Sequence, residues 1–376
     1  MRVALVHDWL TGMRGGEKVF EVLCGIFPEA DVFTLVHIPG KVSPAIERHP
    51  IKTSFIQKLP LAFSRYRHYL PLMPLAAERF DLSGYDMVVS SSHCVAKGVR
   101  VPEGVPHVCY CHTPMRYLWD QYEEYFGAGR ASAPVRAAMR LLRPRLQRWD
   151  VDTARGVSRF IANSRNVAGR IRRHYGREAE VIHPPVDTQR FRTSDRDDGY
   201  YLVVSALVPY KRVDVAVEAF TLSGKPLKIV GSGPEERSLR AAAGRNIEFL
   251  GWADDEKLAD AYAGCRALIF PGEEDFGIVP LEAMASGKPV LALGKGGALE
   301  TVRPLTEGEL SPTGLFFDEL SAATLNNTVD FFESARRRFH ADAIRRHAET
   351  FDVELFRQKI QNYLMTAANE AGGPRR

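Results

Sequence analysis

EEDFGIVPLEAMASGKPV, residues 273 to 290, places a loop, a helix start and a helix in one run, with Glu274 and Glu282 eight positions apart. Glu274 precedes Phe276 and Gly277, Pro280 suits a first helical turn, and Leu281, Met284 and Ala285 give a helical apolar stripe ending at Gly287. The first carboxylate is therefore expected in a loop and the second on a helix. The backbone N–H groups of Phe276, Gly277, Ile278 and Val279 fall where a helix start leaves donors unpaired, and the helix dipole adds partial positive charge there. A diphosphate fits such donors. Carboxylates beside them suit sugar hydroxyls, which donate hydrogen bonds, and are badly suited to phosphate. Together they point to a glycosyl phosphate. Were the run one helix, the two glutamates would stand roughly 12 Å apart, too far for the acid and nucleophile of a glycosidase. Either glutamate taken singly reads more readily as part of an acidic loop ahead of a core-packing helix.

Short apolar runs alternate with helical patterns along the whole chain. Val3 to Val6, Asp86 to Val89, His107 to Tyr110 and Phe160 to Ala162 mark strands in the first half. Tyr201 to Val204, Leu227 to Val230, Ile247 to Leu250, Ala267 to Phe270 and Pro289 to Leu293 repeat the pattern in the second. Such alternation predicts parallel sheets with helices on both faces. Between the halves, HPPVDTQRF (183 to 191) and TSDRDDG (193 to 199) read as a linker. A last helix, about Val353 to Ala368, carries Val353, Phe356, Ile360 and Leu364 on one stripe and is expected to pack back on the first domain.

At 376 residues, 45% hydrophobic and 26% charged, the chain has the composition of a soluble globular protein of two domains or one large one. A net charge of +4 lies below what a dedicated nucleic-acid binder shows, so no nucleic-acid partner is expected. Cys24, Cys94, Cys109, Cys111 and Cys265 form no CxxC pair, which predicts reduced thiols and neither a disulfide framework nor a zinc site. The chain opens directly on a strand-like run and holds no apolar stretch of membrane-spanning length, so a cytoplasmic location is expected.

Several constellations carry chemistry. In HDWLTGMRGGEKVFEVL, Gly12, Gly15 and Gly16 lie between a strand and a helix, as a backbone approaching a bound group requires, though a tight strand-to-helix turn accounts for them equally. The spacing is not the G-x-G-x-x-G dinucleotide fingerprint, which argues against a dehydrogenase. SALVPYKRVDVAVEAF places Lys211 ahead of a helix with stripe Val213, Val217 and Phe220. A lysine at the carboxyl end of a parallel strand can neutralise a leaving diphosphate, whereas an isolated Lys-Arg pair is usually solvated. GSGPEE, 231 to 236, reads as a capped turn, since Glu235 and Glu236 already complement that helix's dipole. His112, directly after an apolar strand, is placed to contact a sugar or a reacting oxygen, although lone histidines are more often structural. Asp150-Val-Asp152 and Asp195-Arg-Asp197 both fit a metal-binding D-x-D pattern and are read instead as solvated charge, so no metal is expected. From Gly127 to Trp149 there are six arginines and no acid, interleaved with Val135, Met139, Leu141, Leu142 and Leu146. This reads either as a surface helix packed on the domain or as a peripheral membrane contact through 130 to 148, on the inner face of the membrane.

In this order and spacing, the pieces resemble a retaining glycosyltransferase of the GT-B fold, of the large family 4 class, nearly end to end. The resemblance implies an α/β protein of two Rossmann-like, doubly wound parallel-sheet domains facing a cleft. An acceptor-side domain covers 1 to 190, a sugar-nucleotide domain 191 to 352, and a C-terminal helix, 353 to 376, packs back on the first. By resemblance Glu274 contacts donor-sugar hydroxyls and Glu282 the ribose, while the amides of Phe276, Gly277, Ile278 and Val279 hold sugar and phosphate. Lys211 matches the family's diphosphate-binding lysine, Gly15 and Gly16 its first-domain glycine loop, and His112 a residue near the anomeric carbon. Family members commonly carry an arginine five residues before that lysine. Here the position is Ala206, leaving Arg212 or Arg116 to substitute or the donor more weakly held.

HTPMRYLWD (112 to 120) and VPYKRVD (208 to 214) look like the subgroup containing bacterial mannosyltransferases that build surface polysaccharides. That implies GDP-mannose as donor, with a UDP-sugar as the alternative, a glycan or lipid-linked acceptor, and no metal or other cofactor. The reaction implied retains configuration, the leaving diphosphate stabilising an oxocarbenium-like centre without a protein nucleophile. Two other classes share the pattern: a GT-B-fold sugar-nucleotide epimerase, which converts the donor with no acceptor present, and a non-catalytic sugar-nucleotide binder, which converts nothing.

Overall fold

The apolar runs become strands because they are too short for helices and are covered on two sides. A computed structural model describes residues 1 to 371; positions 372 to 376, the end of the helix expected over 353 to 376, lie outside the described residues. The first sheet is built from β1 (Val3–His7), β2 (Asp31–Thr34), β3 (Ile51–Thr53), β4 (Met87–Ser92), β5 (His107–Cys111), β6 (Arg159–Ala162) and β7 (Ala179–Val181). The second comprises β8 (Tyr201–Val204), β9 (Leu227–Val230), β10 (Ile247–Gly251), β11 (Leu268–Phe270), β12 (Val290–Leu293) and β13 (Gly314–Phe317). Their orders are β3-β2-β1-β4-β5-β6-β7 and β10-β9-β8-β11-β12-β13, and every pairing is parallel.

Side-chain alternation shows why the second sheet carries helices on both faces. Tyr201, Val203, Ile269, Leu291 and Leu293 enter one core, whereas Leu202, Leu268, Phe270, Val290 and Ala292 enter another. Consecutive strand residues point to opposite faces, so a strand apolar at every position must be buried twice. β3 and β7 escaped the sequence reading because they are three-residue edge strands, and neither contains a fully buried residue.

The chain divides into two compact units, Met1–Pro185 with the segment from Phe356 onward, and Val186–Leu355. The helix Val353–Ala371 joins the first unit through Phe356, Ile360 and Leu364, all buried, with the Phe356 ring 5.9 Å from that of Tyr110. The charged stretch read as a linker is largely built into the second unit. Val186, Thr188 and Phe191 are buried there, and the Asp198 amide donates to the Gly264 carbonyl. Asp197 pairs with Arg266 and Arg336.

The solvated-charge reading of Asp150 is wrong. The helix Ala133–Ala154 does carry Asp150-Val-Asp152, but Asp150 falls on the face of Leu146 and Ala154, four positions away on either side, and all three are buried. Its carboxylate meets the buried Lys97 ammonium at 2.9 Å and accepts from Trp119 Nε1 and the Tyr175 hydroxyl. Asp152, on the outer side, pairs with Arg155 as a surface contact. The same helix divides the apolar residues of the basic segment. Met139 and Leu146 are buried, whereas Val135 and Leu141 are exposed, Leu141 by 70%.

Candidate active site

In a parallel sheet whose order reverses, the crevice opens at the carboxyl ends of the two strands flanking the reversal. The second sheet reverses between β8 and β11. The segments leaving those strands carry Lys211 and Glu274. Lys211 ends a short 3-10 turn, Pro209–Lys211, and its ammonium bonds the Glu274 carboxylate directly. Both side chains are only partly exposed, at 17% and 22%. Arg212 adopts φ 52°, a left-handed backbone that starts the helix Val213–Ser223, and its guanidinium forms a two-pronged pair with Asp214 at 3.0 and 3.1 Å.

Glycines hold the Glu274 loop. A Cβ on Gly272 would lie 2.8 Å from the Lys211 carbonyl oxygen, so the two segments touch backbone to backbone. Behind the loop, a Cβ on Gly297 would stand 2.2 Å from Phe276 Cα, and the Gly297 amide donates to the Glu274 carbonyl at 2.8 Å. This Gly294–Gly297 brace was missed, although a GKGG run directly after a buried strand was its sequence signal. Gly277 caps the helix Ile278–Ala285 at φ 90°. That helix is buried from Pro280 to Ala285, not along a single stripe, because it is covered by the sheet and by the helix Ala341–Glu349. Glu282 is therefore almost wholly buried, and it accepts from the Tyr262 hydroxyl at 3.0 Å. Gly277 caps the helix, Ile278 and Val279 open it, and Phe276 lies just before it.

The first sheet reverses between β1 and β4. Gly15 and Gly16 open the helix Gly15–Ile26, and a Cβ on Gly16 would meet His112 Nε2 at 3.6 Å and His7 Cε1 at 3.7 Å. The glycine loop and His112 are thus neighbours, joined by residues the sequence did not single out. The rings of His7, His93 and His112 lie 6.0 to 6.5 Å apart. Burial, with the charges of His93 and His7, holds the His112 imidazole well below its ordinary pKa, so it is neutral near pH 7. Asp8, fully buried, accepts from the main-chain amides of His93, Cys94, Val95 and Ala96 and lies 3.1 Å from His93 Nδ1. It fixes the loop that leaves β4.

Among the described residues no cluster of three His, Cys, Asp or Glu side chains has metal-ligating geometry, and no helix is long and apolar enough to cross a membrane. All five cysteines are free and buried.

Two parallel α/β sheets, each reversing once beside polar side chains, are the elements of the GT-B glycosyltransferase architecture. The HepE protein of Anabaena, solved in complex with UDP, shares it with TM-score 0.69 and 18% identity, over 97% of this chain and 100% of that one. The family model described as Glycosyltransferase Family 4 matches residues 13–190, and that described as Glycosyl transferases group 1 matches 186–349. The chain belongs to the GT-B glycosyltransferases of the family 4 class. It is 23% identical to an alpha-1,3/1,6-mannosyltransferase of Saccharomyces cerevisiae over 321 residues, 69% of this chain and 60% of that protein. It is 35% identical to a GDP-mannose-dependent alpha-mannosyltransferase of Mycobacterium tuberculosis over 150 residues, 37% of this chain and 39% of that one. The chain thus spans less than two thirds of the length of these relatives.

Proposed function

We propose that the protein transfers a hexose, mannose first among them, from a nucleoside diphosphate donor to a glycan or lipid-linked acceptor, with retained configuration and without a metal. The observation that carries this is the Lys211–Glu274 pair beside the helix start at Gly277, at the reversal point of the second sheet. A pyrophosphate brings more negative charge than one carboxylate and competes for the Lys211 ammonium. Glu274 is then left to accept hydrogen bonds from the sugar. The amides from Phe276 to Val279 add donors aimed at the phosphate, and charge building on the departing diphosphate is where such groups act most strongly. Glu282, held by Tyr262, is the ribose contact in this reading. The two mannosyltransferase relatives support mannose, and GDP-mannose is the donor named for the mycobacterial one.

The test is a thermal-shift screen over GDP- and UDP-sugars, followed by donor turnover with and without acceptor. A ligand bound only by the folded state raises the melting temperature. GDP-mannose is expected to stabilise the protein and to be consumed slowly alone and faster once an acceptor glycan or glycolipid is supplied. Donor epimerised without acceptor shows an epimerase instead, and a shift with no turnover shows a binder.

The outward face of the helix Ala133–Ala154 fits a peripheral membrane contact as part of the same proposal. Leu141 is exposed there, with Arg140, Arg145 and Arg148 also exposed. Each basic residue near an anionic surface contributes about 1 kcal/mol. Changing these three arginines to glutamate is expected to weaken co-sedimentation with anionic liposomes more than tenfold, and equal co-sedimentation of the variant and the parent would rule the contact out.

A further inference from the structure

The buried polar chain behind His112 does not follow from the donor site. His112 Nε2 lies 2.8 Å from Ser91 Oγ, and the same Oγ lies 3.1 Å from His7 Nδ1. His7 Nε2, buried and without a hydrogen-bond partner, faces Glu17 Oε1 at 3.9 Å. The other Glu17 oxygen, Oε2, accepts the Arg14 amide at 3.1 Å. Ser91 and His7 are almost completely enclosed, and Glu17 nearly so. Burial alone would raise the Glu17 carboxyl, but the neighbouring His7 and His93 outweigh it and hold the group below the ordinary glutamate value. Glu17 is therefore ionised near neutral pH.

A hydroxyl has one proton to give, so tautomers along this chain are coupled. A carboxylate facing His7 Nε2 at 3.9 Å, in surroundings of low dielectric, favours an N–H there over a lone pair. When His7 carries a single proton, on Nε2, its Nδ1 is an acceptor and Ser91 donates to it. Ser91 then accepts from His112, whose Nε2 must carry the proton. Nδ1 of His112 remains with its lone pair, and no described residue bonds it.

We propose that Glu17, His7 and Ser91 are positioning residues that lock His112 in the Nε2–H tautomer, so that its Nδ1 accepts a hydrogen bond from a hydroxyl of the sugar substrates. The substrate class rests on the transfer reading above; the tautomer does not. An Nδ1–H imidazole would repel a donating hydroxyl, whereas a lone pair orients it.

Glu17→Gln separates this relay from mere packing. The carbonyl oxygen of the new side chain is retained by the Arg14 amide, which places its NH2 group opposite His7 Nε2. His7 then takes its proton on Nδ1, Ser91 turns to donate to His112, and His112 becomes Nδ1–H. Long-range proton–nitrogen correlation spectra of the full chain, labelled with nitrogen-15 at histidine, read both tautomers directly. The expected result is Nε2–H at His112 in the parent and Nδ1–H in Glu17→Gln, with no inversion when Glu17→Gln is combined with Ser91→Ala. Turnover of the sugar nucleotide in Glu17→Gln should fall about tenfold in kcat with donor KM unchanged, the effect of one lost hydrogen bond of ~1.4 kcal/mol. Nδ1–H in the parent, or the same tautomer in both proteins, overturns the relay. An inverted tautomer with undiminished turnover overturns the hydroxyl contact. Absence of transfer by the parent with every sugar nucleotide strikes the function assigned above, while the spectra still decide the relay.

Discussion

Lys211→Ala is expected to lower the rate of hexose transfer by about two to three orders of magnitude, the range found when one group stabilising transition-state charge is removed. Lys211 is the cation the structure places directly on Glu274, between the segments that leave β8 and β11. In the proposed mechanism its removal strips positive charge from the place where a diphosphate would depart, so kcat should fall more than donor affinity. The fold should survive, because Glu274 keeps some access to water, 22% exposed, so losing its partner should cost less than breaking a fully buried pair. Steady-state transfer kinetics beside a melting curve check this. A variant with a native melting curve and transfer within about threefold of the parent would remove Lys211 from the mechanism.

The second large effect concerns the first unit. Lys97→Ala is expected to destabilise it by about 3–5 kcal/mol, because truncating one partner of a buried ion pair leaves the other charge unpaired. Lys97 Nζ also donates to the Asp150 carbonyl and the Thr153 hydroxyl, and it lies 4.8 Å from the Tyr175 ring centroid. The residue after it has no room for a side chain: a Cβ on Gly98 would fall 2.3 Å from the Trp149 ring. Replacing both charges, Lys97→Met with Asp150→Asn, should cost less than the two single changes added together, since no buried charge is then left alone. Urea unfolding followed by tryptophan fluorescence suits the measurement, with Trp119 bonded to Asp150 and Trp149 beside Lys97. A cost below about 1 kcal/mol for Lys97→Ala would show that water reaches the pair.

The two ion pairs also mark what the sequence could disclose. The strand Tyr201–Val204 was legible residue for residue, because a strand covered on both faces must be apolar throughout. The edge strand β7, whose residues are partly solvated, left no such trace. Glu274 in a loop and Glu282 on a helix followed from a glycine, a proline and a spacing. The partner of Glu274 is 63 positions away, a distance at which no local periodicity operates. Asp150 looked solvated since its chain neighbours are charged. Only the helical phase set by Leu146 and Ala154 turns it inward. His7, Ser91 and Glu17 were invisible as a group for the same reason as the Glu274 partner. They lie on β1, β4 and a helix, and become neighbours only because β4 pairs with β1, where an unbroken order would set it beside β3.

The claim on which the functional account depends is that the second unit holds its ligand by the pyrophosphate. Calorimetric titration of GDP, UDP, guanosine and uridine into the parent protein tests it most directly. The account expects a diphosphate to bind at least about a hundredfold more tightly than its own nucleoside, with most of that difference lost in Lys211→Ala, as two or more charge-assisted hydrogen bonds of about 1.5–3 kcal/mol each require. Nucleoside and diphosphate binding equally well, or a difference untouched by Lys211→Ala, would contradict it.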